Sequence, residues 1–346
     1  FSRIGAKKAV RDAARVLGYD FDIGDKIAKV MPPPVFGISK SLDECMETEE
    51  FARLYESDED VKKVVDTAFG LEGLIRETGI HAAGLVVADK PITEYIPVMQ
   101  KGEGAPVVTQ YDMRRVEENG LLKIDFLGLR NLSIVDMCLK NMKERHNIDL
   151  NVYDKPQMLD EKTFESLAKG ENVGVFQVES SGIKELLVGL KPSELEDLVA
   201  ILALYRPGPM GSNVHNEFVD RKHKRKPVRF LHPSLKDSLS NTFGLLLYQE
   251  QLLSIARNVA GFDVGEADDL RKVVGKKQTE KMPKFRAKFI DGCVKTVGMD
   301  RSTADQLFRE IEHHASYSFS SCHSVPYALL SYITAYLRVN YPVEYM

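Results

Sequence analysis

Leu121-Leu122-Lys123-Ile124-Asp125-Phe126-Leu127-Gly128-Leu129 is a short apolar run with a charge pair inside it. Read as a strand it alternates: Leu122, Ile124 and Phe126 point one way, and Lys123 and Asp125 share the other face. Aspartate is a poor strand former, so a carboxylate in this setting asks for a reason. One reason is the solvated outer face of an antiparallel strand. The other is a metal-binding carboxylate held on rigid backbone, with a lysine beside it to meet phosphate charge. The stretch alone leaves both open.

Working outward, the chain of 346 residues is long enough for a substantial core in two or three domains. It opens on Phe1 rather than Met, as a piece of something longer does. No apolar run reaches bilayer length, and the first residues do not read as a signal peptide. Cys45, Cys138, Cys293 and Cys322 lie far apart without a CxxC pair, which fits reduced thiols in the cytoplasm. The net charge is −4, but its distribution says more than its sum. Residues 43–60 are acidic. Arg271, Lys272, Lys276, Lys277, Lys281, Lys284, Arg286 and Lys288 stand against Glu280 alone, and Arg221-Lys222-His223-Lys224-Arg225-Lys226 forms a second basic cluster. Such clusters are usually solvated helix faces; two in one half of a slightly acidic chain also suit a polyanionic ligand.

Ala6, Val10, Ala13 and Leu17 predict a helix over 6–17 that Gly18 stops. Val61, Val64, Val65, Phe69 and Leu71 give the apolar side of another, over 59–74. At Gly79-Ile80-His81-Ala82-Ala83-Gly84-Leu85-Val86-Val87 the period changes to that of a strand, and Val107–Tyr111 is a further strand. The opening stretch closes this α+β region. Beyond it lie a helix over 131–145, a strand and turn at 173–182, and a capping box of Ser193 and Glu196. Tyr205-Arg206-Pro207-Gly208-Pro209 makes a stiff turn that holds Arg206 on rigid backbone. Helices follow from Leu247 to Gly261, from Asp263 and Glu266 to Gly275, around Phe285, Phe289 and Val294, and over 324–339. There is no fixed-period repeat, no GxxxxGK[ST] and no GxGxxG.

His313, His314, Cys322 and His323 do not make zinc spacing, because neighbours on a helix diverge. Ser320, Cys322 and His323 lack the glycine elbow and partner acid of a nucleophile site. Phosphoryl or nucleotidyl transfer matches better, since it asks for carboxylates to hold divalent metals and cations to hold phosphates. Asp125 supplies one carboxylate; Arg206, Arg271, Lys272 and Lys276 supply cations near helix ends. Asp112, Asp136 and Asp220 sit in no context that pairs them with Asp125. A non-catalytic polyanion-binding module fits these residues equally well.

Eight stretches add a resemblance. They are Ala6-Lys7-Lys8-Ala9-Val10-Arg11-Asp12, Gly79-Ile80-His81-Ala82-Ala83-Gly84, Lys123-Ile124-Asp125-Phe126-Leu127-Gly128-Leu129 and Val175-Phe176-Gln177-Val178-Glu179-Ser180. The rest are Arg206-Pro207-Gly208-Pro209, Tyr248-Gln249-Glu250-Gln251, Arg271-Lys272-Val273-Val274-Gly275-Lys276-Lys277 and Cys322-His323-Ser324. In order and spacing, from end to end of the chain, they resemble the alpha subunits of bacterial DNA polymerase III, the replicative C-family polymerases. The resemblance implies a predominantly helical α+β fold. A small mixed β-sheet of a polymerase-beta-like nucleotidyltransferase palm would be flanked by a helical thumb and helical fingers. Residues 1–78 would hold the end of the first palm segment and the thumb, 79–130 the second palm segment, and 131–346 the fingers.

It also implies an enzyme, a DNA-directed DNA polymerase using Mg2+ in a two-metal site. Its partners would be primer–template DNA, deoxynucleoside triphosphates, a sliding clamp and other replisome subunits, in the cytoplasm and without a membrane. Asp125 matches the third metal-binding aspartate of the palm, and Lys123 would contact primer or nucleotide phosphate. Arg206, Arg271, Lys272 and Lys276 look like the set that holds the triphosphate. His323 and Tyr327, four apart on one helix face, would line the nascent base pair. The family's paired aspartates, in a Pro-Asp-x-Asp-x-Asp-Phe motif, lie upstream of the helix matched at 6–17, so this chain alone is expected to be inactive. Alternatives are a non-catalytic DNA-binding module and one half of a split polymerase. Two departures stand out: Ser320-Ser321 replaces the family's Asn-Lys/Arg after Phe319, and Ala83 replaces a glycine beside His81.

Overall fold

The computed structural model describes residues 1–33, 39–154, 159–275, 278, 280–315 and 318–346. They form two units, Phe1–Gly128 and Leu129–Met346. The predominantly helical α+β class expected from the sequence is what they show.

The first unit starts with β1 (Ser2–Arg3), then α1 (Ala6–Val16), α2 (Phe21–Val30), α3 (Leu42–Met46), α4 (Glu49–Ser57) and α5 (Glu59–Leu71). Ala6, Ala9, Val10 and Ala13 recur along one face of α1 and are all buried. These small side chains let α2 and α5 come close: a Cβ on Gly24 of α2 would lie 3.2 Å from the Arg11 Cα. Gly18 stops α1 with a left-handed φ of 81°. Asp58 caps α5 by accepting from the Asp60 and Val61 amides and is held by Lys26 Nζ at 2.8 Å. α5 ends at Leu71, short of the expected Leu74, because Gly73 turns the chain and donates its N–H to Ile4 O at 2.8 Å. That turn sets β2 (Ile75–Glu77) antiparallel to β1. Phe69, expected on the apolar side, is exposed.

The rest of this unit holds β3 (Gly84–Val87), β4 (Val98–Gln100), β5 (Val107–Thr109), α6 (Met113–Glu118) and β6 (Leu122–Asp125). The expected mixed sheet is corrected here: the described strands form three separate antiparallel pairs, β1–β2, β3–β6 and β4–β5. Strands of two to four residues, punctuated by Pro91, Pro97 and Pro106, offer too few ladder donors to join into one sheet. Ile96, Val116 and Leu121 make a small core beneath them. The alternation of Leu122, Ile124 and Phe126 does not bury a face, since Phe126 is 66% exposed and Leu122, Leu85 and Val87 are exposed with it.

The second unit is helical: α7 (Arg130–His146), α8 (Glu161–Ala168), α9 (Ser181–Leu190), α10 (Leu195–Leu204), α11 (Pro207–Gly211) and α12 (Val214–Lys222). There follow α13 (Lys236–Leu239), α14 (Gln249–Asn258), α15 (Val264–Gly275), α16 (Met282–Val297), α17 (Arg301–Ala315), α18 (Ser321–Asn340) and α19 (Pro342–Tyr345). One core gathers Leu198, Ile201 and Leu204 of α10 with Tyr332, Ile333 and Leu337 of α18. Another packs α14 to α17 around Phe289, whose ring meets those of Phe262 and Phe308.

Four expectations are corrected in this unit. Residues 173–178 form turns, not a strand: Gly174 and Gln177 are left-handed, at φ 74° and 57°, and the Phe176 amide donates to Thr334 Oγ1 at 3.1 Å. The capping box of α10 sits one residue past the expected one: its N-cap is Glu194, and Asp197 takes the place expected of Glu196, accepting from the Ser193 amide at 2.8 Å and the Glu194 amide at 3.3 Å. Val294 is exposed, and Cys293 takes the inward place on α16. α18 begins at Ser321, ahead of the expected 324, and carries Pro326 within it. Among the described residues no helix is long and apolar enough to cross a membrane.

Gly292 of α16 sits where a Cβ would lie 2.0 Å from the Ala260 carbonyl oxygen. Gly292→Ala is therefore expected to destabilise the second unit by about 1–3 kcal/mol. Thermal unfolding checks this, and an unchanged midpoint would contradict the packing described.

Candidate active site

The first candidate group lies in the unit Phe1–Gly128. Antiparallel pairing sets Gly84 opposite Asp125 and Val86 opposite Lys123, so the lysine and the carboxylate share a face. Lys123 Nζ donates to Asp125 Oδ1 at 2.5 Å and Oδ2 at 2.7 Å. The lysine side chain is 14% exposed and the aspartate 41%, so the carboxylate is the part offered to solvent. The hydrogen bond from Lys123 holds the Asp125 carboxyl below the usual carboxylate range; burial opposes this, and the charge of Lys123 adds to it. His81 Nδ1 accepts from the Ala83 amide at 3.2 Å, so its 3.6 Å approach to Asp125 Oδ1 is not a hydrogen bond in this arrangement. Gly84 keeps the space clear: a Cβ there would stand 3.0 Å from both His81 Nδ1 and Lys123 Cε, and 3.1 Å from Asp125 Oδ1.

An exposed carboxylate on a strand end is a hard oxygen donor of the kind Mg2+ takes. Among the described residues no group of three or more His, Cys, Asp or Glu could hold a metal ion. Asp125 can therefore contribute one ligand, and only if Lys123 turns from it toward another anion.

The second group lies in the unit Leu129–Met346, around a cavity of about 250 Å³ lined by Gln177, Tyr205, Arg206, Phe319, His323 and Tyr327 among others. Arg206 is extended (φ −149°, ψ 159°) ahead of Pro207, its Nε donates to Ala203 O at 3.1 Å, and its guanidinium lies 4.1 Å from the Phe319 ring centre. Burial pulls the guanidinium down from its ordinary value. A half-buried cation on an aromatic floor meets an anion in a lower dielectric than a surface lysine does. The His323 ring is 4.2 Å from that of Tyr327 and 5.4 Å from that of Phe319.

The structure thus brings Arg206, His323 and Tyr327 together. Arg271 reaches the same wall indirectly, with Nη1 3.4 Å from Gln249 Oε1 and with Nε and Nη2 on Asp268 at 2.9 and 2.8 Å. Lys272 turns to Asp268 at 2.8 Å and Asp269 at 3.8 Å. Lys276 lies outside the described residues. Phe319, Gln177 and Glu250 were not among the expected site residues. Gln177 and Glu250 stand in stretches that carry the resemblance and Phe319 stands just before Ser320-Ser321, but nothing local to any of the three shows that its side chain turns to this site.

The first unit thus carries a lysine-paired, solvent-offered carboxylate and the second an arginine–aromatic cavity. Two family models match the chain: "Bacterial DNA polymerase III alpha NTPase domain" over residues 1–128 and "Bacterial DNA polymerase III alpha subunit finger domain" over residues 131–297. The chain belongs to the bacterial DNA polymerase III alpha subunit family. Among its relatives, the DNA polymerase III subunit alpha of Aquifex aeolicus is 42% identical over 361 residues, taking in 98% of this chain and 31% of the relative. That of Thermus aquaticus is 43% identical over 352 residues (100% and 28%), and that of Escherichia coli 40% over 356 residues (100% and 30%). The chain spans about a third or less of the length of each of these relatives.

Lys123→Met removes the largest influence on Asp125 while keeping the length of the side chain. The Asp125 carboxyl is then expected to titrate higher, back toward the ordinary carboxylate range. Carbon-detected NMR titration measures it, and a carboxyl that does not move would contradict the pairing.

Proposed function

We propose that this chain is the thumb, second palm segment and fingers of a replicative DNA-directed DNA polymerase. Residues 1–78 end the first palm segment and form the thumb, 79–130 carry the palm strand, and 131–346 are the fingers. The observation that carries the reading is the Lys123–Asp125 pair on β6, in a chain matched along its whole length by one polymerase family.

In this reading Asp125 is one of the ligands of the Mg2+ site, and the others come from residues outside this chain. Metal held there by Asp125 and its co-ligands would supply charge neutralisation for the reacting phosphate and ionisation of the primer 3′-hydroxyl. Lys123, released as Asp125 turns to its ligand, meets phosphate of primer or nucleotide. Arg206, Arg271, Lys272 and Lys276 hold the triphosphate and offset the charge that builds on the pyrophosphate as it leaves. His323 and Tyr327 line the nascent base pair, with the Phe319 ring fixing both Arg206 and His323 from beneath. The substrates are primer–template DNA and deoxynucleoside triphosphates. A sliding clamp and other replisome subunits are the partners of the longer protein, and the site of action is the cytoplasm.

Primer extension tests this. The 346-residue chain alone is expected to show no metal-dependent synthesis. In the full-length protein Asp125→Asn is expected to lower kcat by about a thousand-fold. Synthesis by the isolated chain, or full activity in Asp125→Asn, would overturn the reading. Filter binding adds a check: nucleotide should tighten primer–template binding, whereas a steep salt dependence without a nucleotide effect would mark a plain DNA-binding module.

A further inference from the structure

Tyr248-Gln249-Glu250-Gln251 starts α14, yet most of its polar contacts serve other elements. Phe319 pairs with it as a short parallel bridge: the Gln249 amide donates to Phe319 O at 2.8 Å and the Phe319 amide donates to Leu247 O at 3.1 Å. Phe319 is the ring that stacks on Arg206 and meets His323. The next residue, Ser320, is the N-cap of α18 but makes no cap bond within its own helix. Its hydroxyl instead donates to Glu250 Oε1 at 2.8 Å, and the Ser321 amide donates to Glu250 Oε2 at 2.9 Å. The first free amides of α18 are thus satisfied by a carboxylate that comes from another helix, and its negative charge lies at the positive end of the helix dipole. Burial pushes Glu250 upward, but the hydrogen bonds from Ser321 and Ser320 outweigh it and leave the carboxyl below its usual range.

The neighbours of Glu250 extend the junction. Gln249 Oε1 lies 3.4 Å from Arg271 Nη1. Gln251 Oε1 accepts from both the Leu247 and Tyr248 amides at 2.8 Å, and Gln251 Nε2 donates to Thr242 Oγ1 at 2.7 Å. Gln251 and Thr242 are buried, so the base of the junction is rigid. Two parts of the cavity wall, Phe319 beside Arg206 and the first turn of α18 with His323, are therefore held by these four consecutive residues, which also reach Arg271 outside the cavity.

We propose that Glu250 is a positioning residue of the nucleotide site, a cap supplied from α14 that fixes the first turn of α18 so that His323 faces the cavity it shares with Arg206. This rests on the polymerase reading above for its ligand, but not for the clamp itself. Ser320 and Ser321 occupy the positions where the family resemblance leads one to expect Asn and a cation. Here the two residues meet the Glu250 carboxylate through one hydroxyl and one main-chain amide.

The test uses the full-length protein with two readouts. Cys322 is exposed in the first turn of α18 while Cys45, Cys138 and Cys293 are buried, so its rate of thiol labelling, read by peptide mass spectrometry, reports opening of that turn. Primer extension gives the nucleotide KM and kcat. Glu250→Ala is expected to speed Cys322 labelling and to raise nucleotide KM, each by about five- to ten-fold, with kcat within two-fold. Glu250→Gln, which keeps an acceptor oxygen, recovers most of both. If Glu250→Ala does not fold, Glu250→Gln carries the test with a smaller shift of the same sign. Unchanged Cys322 labelling overturns the clamp. Faster labelling with an unchanged nucleotide KM overturns its link to the nucleotide. A wild-type protein that extends no primer sinks the polymerase reading instead, and leaves the labelling result standing.

Discussion

The ion pair between Lys123 and Asp125 is the constraint around which the first unit makes chemical sense. A lysine whose stem is buried along the β3–β6 ladder keeps an exposed carboxylate ionised and turned to one side. The ladder is short and could be replaced by many others, but three of its features are specific. Period two puts both charges on one face, Gly84 leaves room beside them, and His81 spends its Nδ1 lone pair on the Ala83 amide. The ammonium, bonded to both carboxylate oxygens, also holds them in position.

The helical unit works by a different means. Its polar residues are held less by charge than by stacking and by backbone made stiff. Arg206 gains its direction from Pro207, from the Ala203 carbonyl and from the Phe319 ring, so a long side chain that is ordinarily mobile is ordered before any ligand arrives. Arg271 and Lys272, by contrast, rest on Asp268, whose carboxyl they hold low, Lys272 more than Arg271. Any anion competing for them has to displace that carboxylate, which makes them responsive where Arg206 is fixed.

Much of this was legible in the sequence, and the rest was hidden for identifiable reasons. The α1 face, the Asp263–Glu266 cap of α15 and the shared side of Lys123 and Asp125 follow from local periodicity and local hydrogen bonding, and the structure has them. Val173-Gly174-Val175-Phe176-Gln177-Val178 alternates like a strand but is bent into turns: Asn172, just before it, takes the Val178 carbonyl, and Thr334, far along the chain where no local pattern reveals it, takes the Phe176 amide. The Asp197 cap was missed by one residue, as helix boundaries commonly are. The apolar side of β6 was read correctly as a face but not as an exposed one, since exposure depends on what lies beside it. In the site, residue types gave Asp125 and Arg206, while the floor formed by Phe319 and the link from Gln249 to Arg271 join residues far apart in the chain and leave no local trace.

The central claim is that the Asp125 carboxylate grips a divalent cation. Iron(II)-mediated oxidative cleavage of the polypeptide, run on the full-length protein under Mg2+ competition, tests it directly. The account predicts backbone scission within residues 121–129 that Mg2+ suppresses and Asp125→Asn abolishes. Scission confined to other segments, or unchanged in Asp125→Asn, would contradict it.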